Sequence, residues 1–164
     1  MSFRRVVRSR WLLAAVGPLV ALLAVVVFYF EPQAALFDEE VNDPRPAAVV
    51  FSDATEFVSL EHGTSGAVSI ATSADGVRFL RVEGLDTVGG PDLRLYLSAN
   101  PADGPRDDFD AQYVDLGELR GNVGDLTYEI DPTVDLSRFS SVVIWCNRFD
   151  AAFGAAPLPV SVSR

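Results

Sequence analysis

A chain of 164 residues, 49% of them apolar, can fill one ordinary domain plus a short extra segment, but not several domains. All 13 basic residues are arginines, and four of them, Arg4, Arg5, Arg8 and Arg10, precede the first carboxylate, Glu31. Residues 31–164 therefore carry all 23 acids against nine arginines, a net charge of −14. That excludes nucleic acid and anionic lipid surfaces as ligands of this part, because binding them needs arginine or lysine contacts to phosphate.

In chain order, residues 1–10 form an Arg-rich N-terminus and residues 11–30, WLLAAVGPLVALLAVVVFYF, are free of charge. Twenty helical residues span about 30 Å, the thickness of a bilayer's hydrocarbon layer, so the second segment predicts a transmembrane helix. Gly17 and Pro18 are tolerated in lipid, and Trp11 and Tyr29 fall where aromatic rings favour the interface. Arginines on one flank and Glu31 on the other predict a single-pass protein of the cell membrane, N-terminus cytoplasmic and C-terminal domain extracytoplasmic. The competing reading, a cleaved signal peptide, calls for a shorter apolar run and a small-x-small site, which Ala34 and Ala35 do not make.

Residues 31–48 hold three prolines and a DEE run with no apolar period, and read as an acidic spacer. The folded domain is expected over 49–164, and its pattern is that of short strands. Ala67 to Thr72 and Val77 to Val82 flank Ser73-Ala74-Asp75-Gly76, whose Asp-Gly pair predicts a hairpin. Asp92 to Ser98 and Leu126 to Ile130 alternate apolar with polar residues, as half-buried strands do. Ser141 to Asn147, SVVIWCN, is apolar on both faces and predicts a central strand, preceded by a helical turn at Asp135 to Phe139. The fold class expected is mainly β, an antiparallel β-sandwich or small barrel preceded by one N-terminal transmembrane helix.

One histidine, one cysteine and no lysine leave little catalytic chemistry: Cys-rich zinc sites and internal disulfides are excluded, and no Ser-His-Asp set or phosphate loop stands out. Asp103, Asp107, Asp108 and Asp110 share a loop but lack calcium-hand order, so we read them as solvated and expect no metal site. Cys146 is unusual for an oxidising compartment, where thiols are ordinarily paired. By alternation it shares a face with Val142 and Ile144, and Arg148 lies two residues beyond. It is either a redox thiol favoured by the Arg148 charge or a small buried hydrophobe, and composition alone favours the second. His62, in a polar Gly-rich stretch, is either an exposed loop residue or a cofactor ligand alongside Cys146.

Four stretches carry a family resemblance: His62-Gly63-Thr64-Ser65-Gly66; Gly90-Pro91-Asp92-Leu93 leading into Tyr96-Leu97-Ser98; Asp115 to Asp125 with Tyr128 and Ile130; and Val142 to Cys146 with Phe149 and Phe153-Gly154. In order and spacing, over about residues 50 to 158, they resemble the DM13 domain. The resemblance implies a β-sandwich-like extracytoplasmic module related to cytochrome-type DOMON domains, with electron transfer at the cell surface. It places the family's characteristic cysteine on Cys146 as a redox-active thiol, bare or ligating a prosthetic group such as haem, and so reverses the odds from composition. A ligand role for His62 is our own extension of it. With no second redox group in the chain, a donor and an acceptor have to dock, and the acidic surface favours a basic redox partner protein. The alternative is a non-catalytic cell-surface binding or structural module in which Cys146 is packing.

Overall fold

A computed structural model describes residues 16–27, 38–47 and 49–159. Residues 16–27 form a helix, a length of about 18 Å, and Leu19, Leu22 and Leu23 on it are each more than half exposed. The predicted 20-residue span is thus seen as helix over its middle only; its flanks, 11–15 and 28–30, lie outside the described residues, as do the Arg-rich residues 1–10. Among the described residues no helix is long and apolar enough to cross a membrane.

The rest is a sandwich of two sheets. The first has the order β1 (Glu40–Asn42), β9 (Val123–Ile130), β6 (Arg78–Thr87), β5 (Thr64–Ser73), β2 (Val49–Phe51), with β3 (Thr55–Glu56) also on β5. The second has the order β4 (Val58–Ser59), β11 (Ala151–Pro157), β10 (Ser141–Cys146), β7 (Leu93–Ser98), β8 (Tyr113–Glu118). The predicted hairpin is β5–β6, antiparallel and turned at Ser73 to Val77, where the Gly76 and Ser73 N–H groups donate to the Ser73 and Val77 carbonyls. The predicted central strand is β10, buried at all six positions between β7 and β11. The helical turn is a 3-10 turn, Leu136–Arg138, capped by the Asp135 carboxylate accepting from the Ser137 N–H.

Alternation decides which residues make the core. Val68, Ile70, Leu80, Val82, Leu126 and Ile130 face across to Leu93, Leu95, Leu97, Val142, Ile144 and Cys146, none more than 5% exposed. Each large aliphatic chain buried so contributes roughly 1.5–3 kcal/mol. A second cluster lies on the outer face of the second sheet, where the segment between β7 and β8 lays Phe109, 0% exposed, over Tyr96, Val143, Trp145 and Ala155. This explains why β10 is apolar on both faces.

The stretch read as a spacer supplies β1, so the folded unit reaches back at least to Asp38. β1 pairs in parallel with β9, Glu40 opposite Val123 and Asn42 opposite Asp125. A β-carbon on Gly124, whose φ is +107°, would lie 2.3 Å from the Val41 carbonyl oxygen, so only glycine lets the two backbones approach. Asp43 then accepts from Arg120 and from the Thr127 N–H, and its carbonyl accepts from Arg81 Nη1 at 2.9 Å. Arg81, 2% exposed, is also paired with Asp125.

Candidate functional site

Cys146 closes β10 at one end of the sandwich, opposite Leu93 of β7 and Ala151 of β11. Its Sγ is 0% exposed and donates to the Pro91 carbonyl at 3.2 Å. The turn after β10 lies beside it: the Phe149 N–H donates to the Cys146 carbonyl at 3.3 Å, and the Phe149 and Arg148 N–H groups favour the thiolate. Two loops therefore cover it, 88–92 and 147–150, and they are pinned together. Asn147 Nδ2 donates to the Asp92 carboxylate at 2.8 Å, and the Asn147 N–H donates to the Asp92 carbonyl at 3.0 Å. Asp92 and Asp150, both at φ 55°, are among the described residues the non-glycine ones in the left-handed region, one in each loop, a conformation aspartate accepts more readily than most residues.

Burial pushes the Cys146 thiol up, the Asp92 charge adds to this, and the two N–H groups and the Arg148 charge oppose it without overcoming it. The group is therefore a neutral thiol at neutral pH. The Arg148 influence expected from sequence is present, but from a turn rather than from the same strand face, because β10 ends at Cys146. Asp92 is held below the usual carboxylate range, first by the Asn147 hydrogen bond and then by Arg94, despite partial burial.

His62 is exposed, its ring 4.1 Å from that of Phe153, centroid to centroid. Phe153 in turn packs against Gly90, where an added β-carbon would lie 3.0 Å from the ring. His62 and Cys146 are thus brought to the same end of the sandwich but joined by no hydrogen bond. Beneath His62, Thr64 and Thr87 share a buried hydroxyl–hydroxyl bond of 2.9 Å. Thr64 also fills the space a side chain on Gly154 would need, leaving 2.6 Å to a β-carbon there. On the opposite face from Cys146, the Trp145 ring stacks on Tyr96 at 6.3 Å and Tyr96 on Tyr113 at 4.3 Å, with Tyr113 44% exposed. Burial raises the Tyr96 hydroxyl to about 12.

Each of the four sequence stretches singled out above thus sends residues to this end of the sandwich, and two of them, Gly90 to Leu93 and Val142 to Cys146 with Phe149, supply the thiol and its cover. A family model described as electron transfer DM13 matches residues 56–158. The chain belongs to the DM13 family. No curated protein and no solved structure matches it. In this DM13 domain the residues that sequence reasoning missed are the cover itself: Pro91 as acceptor, and Asp92 with Asn147 as the pin. The Gly90-Pro91-Asp92 run was visible, but nothing in it announces that its carbonyl meets a sulfur 55 positions away.

A porphyrin bound through Cys146 would need an open face at the sulfur. Here Sγ is sealed by Pro91 and by the 147–150 turn, and the two clefts described are elsewhere. One, of about 470 Å³, lies between Val58, Ala102, Arg106 and Pro157; the other, of about 350 Å³, lies by Phe57, Gly66 and Glu83. Among the described residues no group of three or more His, Cys, Asp or Glu is placed to hold a metal ion. As packed, the end that carries Cys146 fits a bare thiol and does not fit haem.

Proposed function

We propose that the chain is a membrane-tethered DM13 domain working in electron transfer outside the cytoplasm, with Cys146 as its redox centre in the form of a bare thiol. The observation that supports this reading is that two of the family's four sequence stretches, Gly90 to Leu93 and Val142 to Cys146 with Phe149, supply the sulfur and the loops that enclose it. The tether is the apolar segment 11–30, with residues 1–10 on the cytoplasmic side. An exposed apolar helix at 16–27, next to a domain of net negative charge, supports it. Because Sγ is covered and neutral, chemistry at Cys146 requires the 88–92 and 147–150 loops to part, an opening that the free protein undergoes transiently. A partner with a basic face suits the acidic domain, and its association weakens with added salt.

One observation favours a second reading, a cell-surface binding or structural module: a thiol at 0% exposure is also what simple core packing produces. Thiol titration against applied potential, on the full chain in detergent, separates the two. In a glutathione redox buffer, the redox reading expects Cys146–SH to exchange with oxidised glutathione, forming the Cys146–glutathione mixed disulfide and releasing one reduced glutathione, and to return when the ratio is reversed, in the folded protein and with no such transition in Cys146→Ser. A thiol that stays inert at every potential until the protein is unfolded sinks it and leaves the binding module.

A further inference from the structure

The place where the chain enters the domain bears on which way the domain faces. The side chain of Asn122, 5% exposed, gathers three strands at one point. Its Oδ1 accepts from the Glu39 N–H at 2.7 Å, and its Nδ2 donates to the Asp38 carboxylate at 2.8 Å and to the Thr87 carbonyl at 2.7 Å. The Asn122 N–H donates back to the Glu39 carbonyl at 3.0 Å. Asp38 and Glu39 are therefore fixed to the last residue of β6, and the loop that follows Thr87 is the one whose Pro91 covers Cys146.

Register confirms that these points share one end. Glu40, Val123, Asp86 and Ser65 run in line across the first sheet, and in the second sheet Cys146 is aligned with Leu93 and Ala151. Loops 88–92 and 119–122 join those strand ends directly. The opposite end carries the β5–β6 turn at Ala74 to Gly76. It lies about 33 Å away, the length of a ten-residue strand.

Seven residues, 31–37, separate the apolar segment ending at Phe30 from the clamped Asp38, and the eight steps from Phe30 to Asp38 reach roughly 29 Å even fully extended. That is shorter than the domain. If the β5–β6 turn faced the bilayer, Asp38 would stand further from the surface than the chain can stretch. We infer that the end of the sandwich bearing Cys146 faces the membrane, so that its electron partner is a protein held in the same membrane. This rests on the tethered reading above. Val88, 43% exposed, and Phe149, 52% exposed, present apolar surface at that end, while the net negative charge disfavours anionic headgroups themselves. A membrane-held protein is the occupant that suits both.

The test places one dye at Val88→Cys or at Ala74→Cys, each in a Cys146→Ser background, with the full chain reconstituted in phosphatidylcholine vesicles containing acceptor-labelled headgroups. Energy transfer at position 88 is expected to be several times that at 74. Inserting twenty Gly/Ser residues between Ala34 and Ala35 is expected to erase most of the difference. Should Cys146→Ser fold poorly, Cys146→Ala replaces it, with thermal unfolding checked for both. Flotation with the vesicles but equal transfer at the two positions, or stronger transfer at 74, overturns the orientation alone. Failure to float at all overturns the tether and the orientation with it.

Discussion

The two ends of the sandwich spend their carboxylates differently. At the end bearing Cys146, Asp38 holds Asn122 across 84 positions of sequence and Asp92 holds Asn147 across 55, while one strand further in Asp43 holds Arg120 across 77. At the other end Asp75 accepts from Ser73, Asp131 from Thr133 and Asp135 from Ser137, each only two positions away. Local bonds of this kind shape a turn and can persist in an unfolded chain, whereas the long-range ones exist only once the strands they join are in place. The named carboxylates at the end that carries the thiol thus fix distant segments against each other, while those at the other end close turns and leave the long-range bonding there to Arg78 on backbone carbonyls.

Removing the hub of those long-range bonds has the largest expected effect. Asn122→Ala leaves the buried Thr87 carbonyl without its side-chain partner, while the Glu39 N–H, on an exposed residue, turns to water. For one buried group left unsatisfied, a loss of about 1–3 kcal/mol is expected. Thermal unfolding measures the loss, and hydrogen exchange shows whether the amides of β1 open first. If exchange rises evenly over the domain and β1 is no faster than β2, Asn122 is not the clamp described here.

Acid sharpens the contrast. Asp43 is raised by burial, but hydrogen bonds from Arg120 and the Thr127 N–H and the nearby arginine charges outweigh that and leave it below the usual carboxylate range of about 3.8. Asp92 is lowered too, first by Asn147. A carboxyl with a lowered value in the fold adds stability that is complete above its unfolded value and is lost as pH falls through the lowered one. Asp75, Asp131 and Asp135 are also lowered, chiefly by serine or threonine hydroxyls. Their bonds are local, so their values in the unfolded chain fall with those in the fold, and little linkage remains. Between pH 5 and 3 the stability of Asp43→Asn and Asp92→Asn is expected to depend less on pH than that of the parent chain, while Asp131→Asn follows the parent.

How much of this was readable beforehand depends on the range of the interaction. The β5–β6 hairpin, the strands β7 and β9, the central β10 and the 3-10 turn are written in neighbouring residues, and all are present, though β7, expected half-buried, is buried on both faces because Phe109 covers Tyr96. The residues of the Cys146 end were legible as a family pattern, and the face of Cys146 followed from period 2. Strand β1 was not, because Glu40-Val41-Asn42 has no strand signature and pairs only because Gly124 makes room on β9. β11, Ala-Ala-Phe-Gly-Ala-Ala-Pro, was missed for a similar reason: its small residues answer to Thr64 against Gly154 and to the Phe109 cover, neither of which is nearby in sequence. His62 beside Phe153 and the seal over Cys146 likewise come from contacts between loops.

The smallest effect is expected at the far end, and it bounds the comparison from below. Asp131→Ala removes the acceptor for the Thr133 N–H, at 2.8 Å, and for the Thr133 hydroxyl, at 2.6 Å. Both donors are at the surface, so water takes over the lost bonds, and the Val134 N–H keeps its bond to the Asp131 carbonyl at 3.0 Å, holding the turn. Arg78 Nη2 also still donates to the Val134 carbonyl at 2.8 Å, so the loop stays docked on β6. The melting temperature of Asp131→Ala is therefore expected to lie within error of the parent, with exchange in β1 unchanged. A drop comparable to that of Asn122→Ala would mean that the far end is as tightly built into the sandwich as the end that carries Cys146, and the division between the two ends would fail.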